Sequence, residues 1–304
     1  MKKITLFVLS LFLGIAHVNF AGDILYIWDG NPPGKTPDKP EHSGKFTNRV
    51  GESTGIGNVS KPSVEIFHAK SDGPRAMVII APGGSYTGLA YELCGVEIAR
   101  WFAENGISAA VLKYRVPNLR DEALMDMRRA VRYIRANARE LGIDPNRVGV
   151  MGFSAGANLA ARTSCLYGDE NYPPRDGVDK ESARPDFSII IYPAYLDEPT
   201  FQKWWGNKKD KVSTDYNRDF ALAPEIKIHK GIPPTFIMQP LDDANWSESS
   251  IAYFLSLRKA GVPVNLHIYE SGGHGFGIRH SGSASDSWED VLAHWLKFKK
   301  IMPK

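Results

Sequence analysis

Cysteine is nearly absent: the 304 residues contain only Cys94 and Cys165. That excludes a disulfide-framed scaffold and leaves one conceivable bridge, so stability must come from a packed core. An excess of either charge is missing too, since 37 Lys and Arg stand against 34 Asp and Glu, a net +3. A strongly basic nucleic-acid binder or anionic-membrane binder is thereby excluded. Beyond the N-terminal segment no apolar run is long enough to span a bilayer. Metal-ligand spacings, phosphate-cradling glycine loops, internal repeats and low-complexity tracts are also lacking. What is present is ordinary globular composition, 43% hydrophobic and 23% charged, so function has to reside in a site rather than in bulk charge.

Lys2 and Lys3 precede a 13-residue apolar run from Ile4 to Ala16. A charged start followed by an apolar stretch too short to span a bilayer reads as a secretory signal over residues 1–21, cleaved after Ala21 or, alternatively, after Ala16. The remaining chain would carry 35 basic against 34 acidic residues. It is expected to be secreted or periplasmic, with no membrane association after signal removal and no nucleic-acid partner.

Residues 22–62 hold Asn31-Pro32-Pro33-Gly34, Pro37 and Pro40 among many polar residues, and are expected to form an extended arm with little regular structure. From Ser63 onward, β-branched or apolar runs alternate with helical patterns. Strands are predicted near 64–68, 76–81, 109–113, 148–152, 187–192, 235–239 and 264–269, and helices near 92–105, 122–141, 155–167, 248–260 and 287–299. The alternation predicts an α/β domain over 63–304, a mostly parallel central sheet with helices on both faces. Residues from about 197 to 231 break it, with Trp204-Trp205, Lys203, Lys208, Lys209, Lys211 and scattered prolines, and read as an insertion over one end of the sheet. Cys94 and Cys165 then fall on helices covering opposite faces, which predicts two free buried thiols. Arg115 and Asp126 adjoin elements packed beside the sheet and are expected to form a structural ion pair.

Gly152-Phe153-Ser154-Ala155-Gly156 follows the apolar run Val148–Met151 and opens an alanine-rich helix. This G-x-S-x-G pattern between strand and helix is a nucleophile elbow, whose sharp turn leaves no room for large side chains beside Ser154. A serine hydroxyl is a weak nucleophile and needs a histidine to take its proton and a carboxylate to hold that histidine. Both follow in order, each in a loop leaving the carboxyl end of a strand: Asp242-Asp243, then His274 within Gly272-Gly273-His274-Gly275. Asp243 is the preferred acid, with Asp242 as a loop-capping alternative; His280 is the nearest rival to His274. The loop Ala81-Pro82-Gly83-Gly84-Ser85-Tyr86 supplies candidate oxyanion donors at Gly84 and Ser85, beside Ala155 after the nucleophile. Trp246, Trp204, Trp205 and Tyr86 are candidate substrate contacts, because an aromatic face buries the apolar side of a sugar ring.

These segments, together with Leu112–Pro117, Asp144–Met151 and Lys259–Pro263, resemble the esterase-type α/β-hydrolases grouped with acetylxylan esterases and bacterial feruloyl esterases. The likeness covers about residues 60–300. It implies the α/β-hydrolase fold and a serine esterase without cofactor or metal. It also implies an acylated polysaccharide or oligosaccharide substrate, deacetylation being the leading reading. A feruloyl or other aryl-ester esterase, and a catalytically silent carbohydrate-binding scaffold, are the alternatives. Two departures stand out. Ala157 and Asn158 replace the second glycine and the histidine that often follow the elbow, and Trp246-Ser247 replace a Val-Pro pair after the acid, which reshapes the mouth of the site.

Overall fold

The computed structural model describes residues 22–70, 73–206 and 220–303. The expected signal, including Lys2, Lys3 and His17, lies outside the described residues, as do Lys208, Lys209 and Lys211 of the insertion. One eight-stranded sheet organises the chain. Its parallel part comprises β5 (Arg75–Ala81), β6 (Ser108–Lys113), β7 (Ile143–Phe153), β8 (Ser188–Ile191), β9 (Thr235–Pro240) and β10 (Val264–Tyr269). Two antiparallel strands, β1 (Asp23–Tyr26) and β4 (Ser63–Phe67), extend it beyond β6, giving the order β1-β4-β6-β5-β7-β8-β9-β10. The central strands read as unbroken apolar runs because both of their faces are covered.

Helices α2 (Arg120–Ala136), α3 (Ala155–Leu166) and α5 (Ser247–Lys259) bury Met127, Val131, Leu159 and Leu257 against one face. Helices α1 (Glu97–Glu104) and α6 (Trp288–Phe298) bury Phe102, Leu292 and Trp295 against the other. Cys94 and Cys165 belong to these opposite layers, and both are buried free thiols. Inside the expected insertion, α4 (Glu198–Trp204) starts where the Asp197 carboxylate accepts the Thr200 N–H at 3.0 Å, a side-chain N-cap.

The reading of residues 22–62 as an arm with little regular structure is corrected. β1 forms a sheet edge, and β2 (His42–Asn48) pairs with β3 (Gly51–Gly57) in an antiparallel hairpin turned by Arg49 and Val50. The sequence signal is weak there because HSGKFTN and GESTGIG are polar on both faces and rich in glycine, a residue depleted in strands. Ring packing makes up for the missing side chains: a Cβ on Gly55 would lie 3.5 Å from the Phe46 ring, and one on Gly57 would meet the His42 ring.

Arg115 and Asp126 form the expected ion pair, at 2.8 Å with neither side chain exposed. The pair also ties down the N-terminal segment. Arg115 Nη1 donates to the Lys35 carbonyl at 3.0 Å, and Trp28 Nε1 donates to Asp126 Oδ1 at 2.9 Å. Removing one member of a buried pair leaves an uncompensated charge. Asp126→Ala is therefore expected to lower unfolding stability by about 3–5 kcal/mol, measured by urea titration of tryptophan fluorescence; a loss below about 1 kcal/mol would contradict this account.

Candidate active site

The site begins with backbone interlock. A Cβ on Gly152 would collide with the main chain of Gly156, and one on Gly156 would collide with the carbonyls of Ala81 and Pro82. With glycine at both positions, the first turn of α3 settles onto the ends of β5 and β7, and Ser154 is pushed to φ 55°, ψ −120°. Few L-residues occupy that region, and it recurs at strained functional turns. The strain lifts the hydroxyl clear of the sheet.

His274 Nε2 lies 2.7 Å from Ser154 Oγ, and His274 Nδ1 lies 2.6 Å from Asp243 Oδ2. Asp243 is 4% exposed and its carboxylate only accepts, so Nδ1 carries the proton and Nε2 is left to accept from the serine hydroxyl. Gln239 Nε2 donates to the same carboxylate oxygen at 3.2 Å, and the Ser250 hydroxyl donates to Gln239 Oε1 at 2.7 Å, which fixes the acid in place. Asp242 points elsewhere: its Oδ1 accepts the Gly273 N–H at 2.7 Å and so ties the acid loop to the histidine loop. His280 is paired with Glu289 at 2.5 Å, and His267 stacks on Phe236 with centroids 4.9 Å apart. The His274 ring itself sits between Tyr192 and Trp246, at 5.0 and 6.2 Å.

Beside Ser154, the glycine-rich loop comes close at Gly83, where a Cβ would lie 3.3 Å from the serine Cβ. Sequence reasoning did not single out Gly83. Its backbone hydrogen-bonds the Cys94 thiol, whose pKa burial pushes up to about 12, so that sulfur stays a neutral packing group. The N–H groups of Gly84 and Ser85 have no main-chain acceptor among the described residues. Ala155 opens α3, so its N–H has no acceptor within the helix. Ala155 follows the serine directly, so its free N–H lies beside Ser154.

The aromatic candidates are sorted by burial. Tyr86 has no exposed surface; its hydroxyl donates to Asn158 Oδ1 at 2.8 Å, and burial raises its pKa. The expectation that it faces substrate is corrected, because its ring packs edge-on against Tyr114 and Trp205. Trp246 retains 9% exposure, covered edge-on by Tyr195 at 4.8 Å and at a tilt by Trp204 at 6.0 Å. Trp204 is 54% exposed, whereas half-buried Trp205 turns inward beneath the Arg120 guanidinium at 4.7 Å. Of the four, Trp204 is the most exposed, with the Lys203 ammonium over its ring at 5.9 Å.

Two further residues shape the site. Tyr195, at φ 62°, hydrogen-bonds Ser85 and contacts all three tryptophan rings. Its only sequence signal is its place after the carboxyl end of β8. Asn158, at the position where the family often has histidine, holds Tyr86 and also donates to the Tyr195 carbonyl at 3.3 Å.

A family model for the alpha/beta hydrolase fold matches residues 106–278. The chain belongs to the alpha/beta hydrolase family. It is 31% identical, over 78% of its length, to 48% of an acetylxylan esterase from Xylanibacter ruminicola. It is 29% identical, over 71% of its length, to 35% of endo-1,4-beta-xylanase B from Butyrivibrio fibrisolvens. The chain thus spans half or less of the length of these two curated relatives. Among solved structures, an acetyl ester-xyloside bifunctional hydrolase from Caldicellulosiruptor lactoaceticus superposes with a TM-score of 0.76 at 27% identity, covering 95% of this chain and 100% of that one.

The two neighbouring carboxylates make a discriminating pair. Asp243→Asn is expected to lower kcat for ester hydrolysis by roughly 10³- to 10⁴-fold, as when a triad acid loses its charge. Asp242→Asn, which only weakens a loop contact, should cost less than about tenfold. Steady-state hydrolysis of 4-nitrophenyl acetate checks the ranking, and the reverse order would move the acid to Asp242.

Proposed function

We propose that the protein is a secreted or periplasmic serine carboxylesterase that deacetylates plant-cell-wall polysaccharide or its oligomers. The observation that carries the reaction type is the relay Ser154 Oγ to His274 Nε2 to His274 Nδ1 to Asp243, at 2.7 and 2.6 Å. In this reading Ser154 Oγ attacks the ester carbonyl while its proton passes to His274 Nε2. Negative charge gathers on the carbonyl oxygen, where Ala155 N–H with Gly84 or Ser85 N–H would receive it. The intermediate collapses as the imidazolium protonates the departing sugar oxygen, leaving the acyl group on Ser154. A water molecule then repeats the sequence, and acetate leaves.

The substrate class is supported by the names of the similar proteins, two of which act on xylan or its acetyl esters by those names. It is supported also by the exposed Trp204 ring beside the site. Export is supported by the pattern of residues 1–21; among the described residues no helix is long and apolar enough to cross a membrane.

Ser154→Ala should abolish labelling by a fluorophosphonate probe and reduce kcat by roughly 10⁴ to 10⁶. Labelling retained in the variant would reject the mechanism, and an unlabelled wild type would favour a silent scaffold. Acetate against ferulate release from acetylated xylan and arabinoxylan decides the acyl group; ferulate alone would replace the deacetylase reading.

Trp204→Ala tests the sugar contact. Stacking on an aromatic face is worth about 1–3 kcal/mol, so kcat/KM should fall roughly tenfold to a hundredfold for acetylated xylo-oligomers. The loss should be much smaller for 4-nitrophenyl acetate. Equal losses on both substrates would remove Trp204 from substrate contact.

A further inference from the structure

The β2-β3 hairpin reaches both loops of the site. At its turn, Asn48 Nδ2 donates to the Gly275 carbonyl at 2.8 Å, and the Arg49 guanidinium lies over the Phe276 ring at 5.4 Å, both contacts falling just after His274 in its loop. At its open end, Ile56 and Leu89 exchange backbone hydrogen bonds of 2.9 and 2.8 Å, which fastens the hairpin to the loop carrying Gly84 and Ser85. Between these attachments Phe46 packs against the core and the Leu93 N–H donates to Ser53 at 3.1 Å. The hairpin face bearing His42, Gly44 and Phe46 borders an open groove of about 430 Å³ whose other wall includes Gly84 and Thr87.

The chemistry of this groove selects among ligands. Phe46 and His42 lie on one face of β2, about 13 Å apart along the strand. Gly44 stands between them, and a Cβ there would meet nothing within 4 Å. A floor without side chains lets a flat ring descend to the backbone, and the rings at either end offer apolar faces. The lysine lining the groove, Lys45, is paired with Glu52 at 2.6 Å, and no carboxylate lines it, which fits a neutral ligand better than an ion. Its volume lies within the range of small-molecule sites. Gly84 lines this wall and is the chain neighbour of Gly83, whose Cβ position lies 3.3 Å from that of Ser154, so the groove lies one residue along the loop from the reacting serine.

We infer that the groove between the β2-β3 hairpin and the Gly84 loop is a subsite for the neutral sugar chain of the substrate, several residues of a β-1,4-linked xylo-oligosaccharide. This rests on the esterase reading for its role in turnover, but binding can be measured without turnover. The groove holds the chain while the acylated sugar presents its ester to Ser154. Specificity for an oligomer over a small ester then comes from the N-terminal segment rather than from the sheet.

The test titrates unacetylated xylohexaose calorimetrically into the full chain carrying Ser154→Ala, alone and combined with Gly44→Leu, Phe46→Ala or Thr47→Leu. Gly44→Leu fills the floor from a position with open space, and Phe46→Ala removes one ring by a different route. Thr47 is on the same strand but does not line the groove. Xylohexaose is expected to bind, with Kd raised at least tenfold by Gly44→Leu and by Phe46→Ala and unchanged by Thr47→Leu. No binding, or one Kd for all four proteins, overturns the subsite. With Ser154 intact, Gly44→Leu should raise KM for acetylated xylo-oligomers at least tenfold more than for 4-nitrophenyl acetate. If wild type hydrolyses no ester yet xylohexaose binding still depends on Gly44, the esterase reading fails and the subsite stands. If hydrolysis proceeds and Gly44→Leu affects both substrates alike, the subsite fails and the esterase reading stands.

Discussion

The contact on which the rest of the site depends is the close approach of Gly156 to the carbonyls of Ala81 and Pro82, where no side chain fits. It brings the start of α3 against the end of β5, so the residues following each of those strands are forced together. The glycine-rich loop after β5 and the elbow after β7 therefore share one small volume. Strand pairing of β7 with β8 and of β8 with β9 delivers the acid loop to the same end of the sheet, and β10 delivers the histidine loop beside it. Each loop leaves a parallel strand at its carboxyl end, which is where open α/β sheets gather their sites. Distances of 2.6 and 2.7 Å between residues 31 and 120 positions apart follow from that shared edge.

Orientation then separates residues that sequence leaves equivalent. Asp242 and Asp243 are adjacent, and their side chains diverge as the chain leaves β9, one to the Gly273 N–H and one to the imidazole. Trp204 and Trp205 diverge likewise at the end of α4, one outward and one toward Arg120. In both pairs the composition of the motif was readable, whereas the direction of each side chain depends on where the element ends.

The β5 to β9 core, the elbow and the loops bearing the acid and histidine were legible because long apolar runs and glycine at sterically closed positions leave few alternatives. The hairpin of residues 42–57 was not, since both of its faces are polar and its stability comes from rings packed across glycines. Tyr195 was also missed, because a tyrosine at φ 62° becomes conspicuous only once three tryptophan rings are seen around it. Trp246 looked like a free platform after the acid, yet Trp204 and Tyr195 cover it, and no spacing within the acid loop reports that.

A division of labour follows from where the buried polar contacts run. Asn158, one turn beyond the elbow, binds Tyr86 of the glycine-rich loop and the Tyr195 carbonyl, and Arg120 bridges it to Glu225 through contacts of 3.3 and 2.5 Å. Glu225 lies in the segment that interrupts the alternation of strands and helices, so the outer wall is bonded to the residue beneath the nucleophile. Buried groups of this kind are held in one arrangement, because breaking any contact strands a donor or a charge away from water. Replacing the histidine often found at position 158 by asparagine keeps a side chain that both donates and accepts, which is what a link between two loops requires. The sheet can thus keep its loop ends fixed while the hairpin on one side and the interrupting segment on the other set the shape of the mouth, as expected where binding loops sit on a rigid scaffold.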